Sequence, residues 1–199
     1  MAVRASVLPL ADPGHATLRL IDLDASPEGL TLSIQRQQGP DSHLADDGWR
    51  VAIAYRTSRE DADAVVAAVQ AQGSGAVAHQ ADVSQPSEVA GLVAAVRAEW
   101  GRIDALITAA GPYHRIGLLH ETVAGWHEMF DNNLHPVFYL TRAVAPVMQE
   151  QGWGRIVNFS VVNAGQLQGQ PNVTAYTIAK AGVLVLSRSY AKLLGGHGI

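Results

Sequence analysis

The stretch Arg50-Val-Ala-Ile-Ala-Tyr55 is a short run of mostly apolar residues, without alternation between polar and apolar positions. Such a run predicts a strand that is buried on both faces of a sheet. The following residues, 60–72, are rich in Ala and Val and predict a helix that ends at Gly73. A buried strand followed by a helix is therefore the first structural unit that the sequence predicts.

The same unit recurs along the rest of the chain. Further strands are predicted at residues 75–80, 103–108 and 155–160, and further helices at about residues 84–100, 122–149 and 174–194. Buried strands that alternate with helices predict an α/β fold, a doubly wound parallel sheet with helices on both faces (Rossmann-like). Ligands of such sheets bind beyond the carboxyl ends of the strands. The residues that follow each strand are therefore the candidates for chemistry.

Two details of the predicted helices follow from single residues. Ser84 is expected to cap the helix that carries Pro86 in its first turn. Pro136 and Pro146 are expected to bend the long helix at residues 122–149.

Composition excludes several classes of function. The chain has 199 residues, enough for one medium domain, and 48% of them are hydrophobic. The net charge of −4 and the lack of a basic stripe argue against nucleic acid as a partner. The absence of cysteine excludes disulfides, thiol catalysis and zinc–thiolate sites, and no metal site is predicted. No segment resembles a signal peptide or could span a bilayer, so we expect a cytoplasmic protein without a membrane partner.

The first two predicted strands are followed by residues suited to a nucleotide. Arg56 follows the first strand, where proteins that bind NAD often place an acid, and a basic residue suits the additional phosphate of NADP. Asp82 and Val83 follow the second strand and could contact an adenine amino group. The alternatives are a solvated loop arginine at position 56 and a turn or helix-cap carboxylate at position 82.

The third strand and the long helix supply a second group of candidates. Ala109, Ala110 and Gly111 are small enough to let a flat cofactor lie against the backbone, although close strand–helix packing would also explain them. Asn133 lies in an apolar helical stretch, where a buried amide needs partners. It could hold a backbone segment or an ordered water, or its role could be structural alone.

Tyr176 and Lys180 are four residues apart in the last predicted helix, Thr174-Ala-Tyr-Thr-Ile-Ala-Lys-Ala-Gly182. That spacing places a phenol and an ammonium on one helix face. A cation beside a phenol lowers the pKa of the phenol, and a phenol tuned toward neutral pH can exchange a proton with a carbonyl or alcohol oxygen. The pair is a candidate acid/base device, and a solvated helix face is the alternative.

Six segments, in this order along the chain, together resemble the short-chain dehydrogenase/reductase family. They are Arg50-Val-Ala-Ile-Ala-Tyr-Arg56, Ala81-Asp-Val-Ser84, Leu106-Ile-Thr-Ala-Ala-Gly111, Asp131-Asn-Asn-Leu134, Gly154-Arg-Ile-Val-Asn-Phe-Ser160 and Ala175-Tyr-Thr-Ile-Ala-Lys-Ala-Gly182. The resemblance covers residues 44–199, a Rossmann-like reductase core. Within the family the chain looks most like reductases that act on 3-oxoacyl thioesters, with pteridine reductases as near relatives.

The resemblance implies a role for each candidate. Tyr176 is the expected proton donor to the carbonyl oxygen, and Lys180 is expected to lower the pKa of Tyr176 and to hold the nicotinamide ribose. Ser160 is expected to polarise the substrate oxygen, and Asn133 to order a water for proton relay. The implied cofactor is NADP(H) rather than NAD(H), the substrate is a small carbonyl compound or alcohol, and the assembly is a homo-dimer or homo-tetramer.

The N-terminal segment, residues 1–43, departs from the family pattern. The glycine-rich loop that holds the pyrophosphate is expected within residues 26–43, and no three-glycine spacing occurs there. Residues 17–23 could form a substitute first strand, but Asp22, Asp24 and Glu28 would repel a pyrophosphate. We therefore expect an atypical segment, either poorly ordered or a substitute strand and helix, of foreign or out-of-frame origin, and weak NADPH binding.

Three further departures concern the rest of the chain. The sequence stops at Ile199, before the strands and covering segment that the family adds, so the fold is expected to be incomplete at both ends. Thr108-Ala-Ala-Gly111 replaces the usual Asn-Asn-Ala-Gly. The interval between Ser160 and Tyr176 is long, so either Ser160 or Asn163 could face the substrate, and Ser160 is preferred because a hydroxyl both donates and accepts.

Three functions are compatible with these patterns. The first is an NADP(H)-dependent carbonyl reductase, impaired by the missing loop. The second is a non-enzymatic pseudoenzyme or partner subunit that associates through apolar residues of the two long helices, and the third is a non-redox ligand-binding domain. The substrate-facing candidates are residues 161–173 and the turn Pro112-Tyr-His-Arg115, in which His114 could approach a substrate or could be a solvated loop residue.

Overall fold

A computed structural model describes residues 16–20, 49–109 and 111–199 of the chain. Several sequence predictions lie outside the described residues. They concern the expected place of the glycine-rich loop within residues 26–43, the carboxylates of Asp22, Asp24 and Glu28, and the contact of Ala110 with a cofactor.

The described residues form one parallel sheet of five strands. These are β1 (Ala16–Leu20), β2 (Arg50–Tyr55), β3 (Ala76–Gln80), β4 (Ala105–Thr108) and β5 (Arg155–Asn158). Their order across the sheet is β3-β2-β1-β4-β5, and all four neighbouring pairs are parallel. The strand order reverses between β1 and β4, which is where a doubly wound sheet opens a crevice for ligands.

Five α-helices connect and cover these strands. They are α1 (Arg59–Ala71), α2 (Pro86–Trp100), α3 (Val123–Asn133), α4 (His135–Gln151) and α5 (Thr174–Leu194). α1 links β2 to β3, α2 links β3 to β4, and α3 and α4 link β4 to β5, and crossovers between parallel strands of one sheet are right-handed as a rule.

The core lies on both faces of the sheet, as the unbroken apolar run of β2 predicted. Ala52 and Ala54 belong to a cluster that includes buried residues of α2 and α4, among them Val96 and Val144. Ile53, from the same strand, belongs to a second cluster with residues of α1. Successive side chains of a strand point to opposite faces, so both faces of β2 are covered. The predicted fold, a doubly wound parallel sheet with helices on both faces, is confirmed.

The middle of the sheet comes from the N-terminal segment. β1 pairs with β2 from Ala16 opposite Arg50 to Leu20 opposite Ala54, and with β4 on its other side. Within the N-terminal segment the structure has a strand at Ala16–Leu20, which overlaps the substitute strand expected at residues 17–23. That strand connects the two halves of the sheet.

Two predictions about the helices are wrong. The long helix predicted at residues 122–149 is two helices, α3 and α4, which meet at Leu134. Pro136 lies in the first turn of α4, where a missing N–H is tolerated, whereas inside a continuous helix its ring would clash with the preceding turn. Ser84 does not cap α2, because Gln85 occupies the cap position and the amide of Ser84 donates to Asp82 Oδ1 at 2.9 Å.

In the part of the chain that the structure describes, no helix is both long enough and apolar enough to cross a membrane.

Candidate active site

The predicted site residues gather at one edge of the sheet. Arg56 follows β2, Asp82 follows β3, Gly111 follows β4, and Ser160 follows β5. Because all strands are parallel, these positions share the carboxyl edge, where α/β sheets bind ligands. Tyr176 reaches the same region from the first turns of α5.

Lys180 is a buried amine on α5. Only 5% of the residue is exposed, and its Nζ donates to the backbone carbonyl of Phe159 at 3.3 Å. The same Nζ lies 5.9 Å from the centre of the Tyr176 ring, as expected for two residues one helical turn apart. Burial disfavours the charged form and lowers the pKa of Lys180 to about 8. The ammonium and the neutral amine are therefore both accessible near neutral pH.

Tyr176 does not have the lowered pKa that the sequence predicted. Burial raises the pKa of its phenol, and the neighbouring phenol of Tyr113 adds to the rise. The rings of Tyr113 and Tyr176 meet edge to face, with 5.5 Å between their centres. A phenolate here would lose its hydration, so burial favours the neutral phenol. Tyr176 therefore keeps its proton through the neutral range.

Ser160 and Asn163 occupy different places in the loop after β5. The Ser160 hydroxyl donates to the carbonyl oxygen of Lys180 at 2.6 Å, which ties the end of β5 to α5. Asn163 has a left-handed backbone, with φ of 62°, and lines a cavity beside Tyr176. Ser160 is not among the described residues that line this cavity. Which of the two contacts a substrate stays a prediction.

Asn133 holds the segment that follows β4. It is the last residue of α3, it is almost fully buried, and its Nδ2 donates to the carbonyl of Pro112 at 2.9 Å. Its Oδ1 is buried without a hydrogen-bond partner among the described residues. Gly111 has φ of +138°, and a Cβ at that position would lie 2.1 Å from Asn133 Oδ1. Only glycine fits there, and the amide oxygen remains an available acceptor.

The residues predicted to contact adenosine have protein partners. Arg56 Nη1 donates to Asn132 Oδ1 at 3.4 Å, and the Arg56 carbonyl accepts from Gln80 at 3.0 Å. Asp82 forms the turn that was its alternative role, accepting from Ser84, while its own amide donates to the carboxylate of Glu88 at 2.7 Å.

Two further residues that were predicted to contact a cofactor are partly buried in the protein. Val83 packs against the main apolar cluster, where it contributes to the core. Ala109 directly follows β4 and is half-buried. Neither observation tests a contact with a cofactor.

A cavity of about 330 Å³ opens beside Tyr176. Its polar lining residues include Tyr113, Arg115 and the amides of Asn163, Gln168 and Gln170. Its apolar lining residues are Val161, Val162, Ala164, Leu167, Val173 and Ala181. A small molecule in this cavity would lie within reach of the Tyr176 phenol, since Tyr176 forms part of the wall.

The turn at residues 112–115 has a different role from the one predicted for His114. His114 is neither solvated nor in the cavity wall, because its Nε2 lies 2.7 Å from Glu121 Oε2 and both side chains are largely buried. Its neighbours Tyr113 and Arg115 line the cavity instead. The sequence marked this turn as substrate-facing, but nothing in it showed which side chains would face the cavity.

No metal centre is evident in residues 16–20, 49–109 and 111–199, where no group of three or more His, Asp or Glu side chains could hold an ion.

Comparison with known proteins identifies the family of this site. A family model described as enoyl-(acyl carrier protein) reductase matches residues 42–199. The chain belongs to the short-chain dehydrogenase/reductase family. This confirms the resemblance carried by the six sequence segments.

Curated relatives are similar over most of this chain. A 3-oxoacyl-(acyl-carrier-protein) reductase of Synechocystis sp. is 38% identical over 156 residues, which is 78% of this chain and 62% of the relative. A protein of the same name from Staphylococcus aureus is 36% identical over 157 residues, 78% of this chain and 63% of that relative. Nodulation protein G of Azospirillum brasilense is 34% identical over 156 residues, with the same coverage. The chain therefore spans less than two thirds of the length of these relatives.

Solved structures share the fold. A metagenomic short-chain oxidoreductase in complex with NADP has a TM-score of 0.78 and 28% identity, over 93% of this chain and 78% of that one. NAD+-bound xylitol dehydrogenase has a TM-score of 0.79 and 25% identity, over 94% of this chain and 67% of that one. Both neighbours hold nicotinamide dinucleotides.

Two basic side chains of this chain have the chemistry that suits the two ends of such a dinucleotide. The Arg56 guanidinium at the end of β2 suits a phosphate near the adenosine, and the Lys180 amine suits ribose hydroxyls near the nicotinamide. A Cβ at Gly111 would collide with Asn133, so this glycine lets the segment after β4 pack closely against α3. The expected place of the pyrophosphate loop lies among residues that the structure does not describe.

Proposed function

We propose that the chain is an NADP(H)-dependent oxidoreductase that reduces a carbonyl group or oxidises the corresponding alcohol. Its proposed catalytic set is Tyr176, Lys180, Ser160 and Asn133. The observation that carries the proposal is the place of Tyr176 in the wall of the cavity, one helical turn from the buried Lys180. Family membership supports the same reaction class.

The phenol of Tyr176 is the proposed proton donor. Its raised pKa keeps the hydroxyl protonated at neutral pH, which suits donation to a carbonyl oxygen as that oxygen becomes negative. A nicotinamide cofactor, when bound, supplies the hydride that no side chain can deliver. The Lys180 ammonium, present below about pH 8, stabilises the phenolate that remains after the proton has left.

The remaining members position the reacting groups. Ser160 is proposed to donate to the substrate oxygen, and Asn163, which lines the cavity, is the alternative donor. The free Oδ1 of Asn133 is proposed to accept from an ordered water that returns a proton toward Tyr176. NADP(H) is proposed over NAD(H) because a guanidinium rather than a carboxylate follows β2 at Arg56.

The deciding experiment combines cofactor titration with Tyr176→Phe. NADPH binding, followed by the fluorescence of the four tryptophans, is expected to be weaker than micromolar because no three-glycine loop occurs within residues 26–43. At saturating NADPH we expect reduction of a carbonyl substrate, and Tyr176→Phe should lower kcat by about 10²- to 10⁴-fold, the usual contribution of a general acid.

Tyr190→Phe on the same helix is the matched control, since Tyr190 does not line the cavity. It should keep full activity and unchanged NADPH affinity. Turnover that survives Tyr176→Phe, or no detectable NADPH binding at millimolar concentration, would contradict the proposal.

A second function, subunit association, is favoured by the exposed faces of α4 and α5. The sequence suggested apolar residues of the two long predicted helices for association, but several of them are buried within their own chain: Met129, Val137, Leu140 and Val183. Phe138, Ile178 and Val185 are exposed, Val185 to 62%. We propose a homo-dimer or homo-tetramer through these residues. A well-folded oligomer by light scattering that binds no NADPH would favour the partner-subunit function over the reductase.

A further inference from the structure

The cavity beside Tyr176 has an unusual charge content for this chain. Arg115 is the one charged side chain among its described lining residues, and no carboxylate is among them. The chain as a whole contains 18 acidic and 14 basic residues. A cavity with one cation and no acid is therefore suited to a ligand of negative charge.

Arg115 also has no ion pair or hydrogen bond to another residue of the described chain. Three other arginines of the described chain are paired with acids, such as Arg97 with Glu150 at 2.6 Å. Glu121, a nearby acid in the sequence, is unavailable, because His114 contacts its Oε2 and the amide of Thr122 donates to its Oε1. The guanidinium of Arg115 therefore keeps all its donors free for a ligand.

The segment that carries Arg115 is held on both sides. Before it, Asn133 binds the Pro112 carbonyl and Tyr113 packs on the ring of Tyr176. After it, the amide of Leu118 donates to the carbonyl of Pro171 at 2.8 Å, which joins the segment to the loop that supplies Gln168 and Gln170. The backbone that carries Arg115 is thus held beside the cavity that Tyr176 also lines.

From this arrangement we infer that the carbonyl substrate carries an anionic group, a carboxylate or a phosphate, that Arg115 binds. The inference rests on the proposed reductase function. A guanidinium can bind either oxyanion in a bidentate manner, and the neighbouring amides of Gln168 and Gln170 can donate further hydrogen bonds. The apolar residues of the wall would contact the carbon chain, and about 330 Å³ suits a small molecule.

The first test measures binding without turnover, by ligand-observed NMR. The probes are acetoacetate (a carboxylate), dihydroxyacetone phosphate and the neutral ethyl acetoacetate. At least one anionic probe should bind more tightly than the ester, and Arg115→Gln should weaken that preference about tenfold, as the loss of one charge-assisted contact predicts. Arg115→Lys keeps the positive charge but cannot bind an oxyanion in a bidentate manner, so it should retain part of the preference for the anionic probe.

Two controls sharpen this test. Arg97→Gln removes an exposed arginine that does not line the cavity, and it should leave the preference unchanged. Raising the salt from 0.05 to 0.5 M should weaken anion binding more than ester binding, because screening acts on the charged pair. Tighter binding of acetoacetate would assign the anionic group as a carboxylate, and tighter binding of dihydroxyacetone phosphate would assign it as a phosphate.

The second test separates this inference from the proposed function, using NADPH-dependent reduction of the same three compounds. Ester reduction that depends on Tyr176, together with no preference for the anionic probes, would overturn the inference and leave the reductase intact. Charge-dependent binding with no reduction of any probe would overturn the reductase and leave the anion site intact. Equal binding of ester and acids, no binding of any probe, or the same loss in Arg97→Gln would overturn the inference.

Discussion

Lys180 and Tyr176 have pKa values displaced in opposite directions by the same cause. Burial penalises the charged form of each group, which lowers the pKa of the Lys180 amine to about 8 and raises the pKa of the Tyr176 phenol. Below about pH 8 the pair is an ammonium beside a neutral phenol. That protonation state is the one required for proton donation to a carbonyl oxygen.

The lowered pKa of Lys180 predicts how stability depends on pH. The folded pKa of about 8 lies below the ordinary value of 10.5, so between these values the unfolded chain binds more protons than the folded one. Stability therefore rises with pH through this window, by roughly 3 kcal/mol if the full shift is expressed. The raised pKa of Tyr176 lowers the stability as the pH rises, but only above pH 10.

Urea unfolding of the cofactor-free protein at pH 7.5, 9 and 10 measures this effect. The wild type should gain stability between pH 8 and 10 relative to Lys180→Met, which has no amine to titrate. Parallel pH profiles for the two proteins would show that the amine of Lys180 titrates normally in the folded state.

At the scale of elements, Gln151 connects α4 to the two strands that flank the site. Its Oε1 accepts from the amide of Ile103 at 2.9 Å, and its Nε2 donates to the carbonyls of Ile103 and Trp153 at 2.9 and 3.3 Å. Ile103 is fully buried just before β4, and Trp153 precedes β5. The side chain thus satisfies backbone groups that water cannot reach.

Gln151→Ala should therefore destabilise the fold. Leaving the buried amide and carbonyl of Ile103 without partners is expected to cost roughly 2 to 4 kcal/mol, measured by urea unfolding at pH 7.5. Gln149→Ala on the exposed side of the same helix is the matched control and should stay within about 0.5 kcal/mol of wild type. A loss equal to that of the control would show that the contacts with Ile103 are replaced by water.

At the scale of the whole molecule, β1 is the strand that joins two pairs of strands into one sheet. β2 and β3 lie on one side of it, and β4 and β5 on the other. The family match begins at residue 42, so it covers four of these strands and not the central one. The integrity of the sheet thus depends on a segment outside the recognisable family sequence.

A chain reduced to residues 42–199 is expected to lose cooperative unfolding. Without β1, the facing edges of β2 and β4 have no backbone partner, and unpaired edges promote association. Circular dichroism during urea unfolding should show a broad transition and aggregation. In the full-length chain Leu18→Pro, which removes a backbone donor from the central strand, should act in the same direction, while Leu18→Val keeps the donor. An unchanged midpoint and slope for the shortened chain would show that β1 is dispensable.

Much of this architecture was predictable because its signals are local. The predicted helix 174–194 coincides with α5, and β2 has its predicted bounds, since apolar runs and helical periodicity act over a few residues. The break at Leu134 was missed because the apolar pattern continues across it and Pro136 can either bend a helix or begin one. The contact of Tyr113 with Tyr176 was also missed, because the two residues lie far apart in the sequence.

The sequence by itself determined the class of fold, the family, the position of the loop candidates at the ends of their strands and the place of Tyr176 and Lys180 on a helix. The order and type of the elements, and the motifs they carry, are written in short stretches of chain. Only the tertiary structure decided that the N-terminal segment supplies the central strand, that Tyr176 has a raised pKa, and that Arg115 lines a cavity with no acid among its described lining residues. The physical reason is that strand pairing, hydration and the local field depend on residues that meet only when the chain is folded.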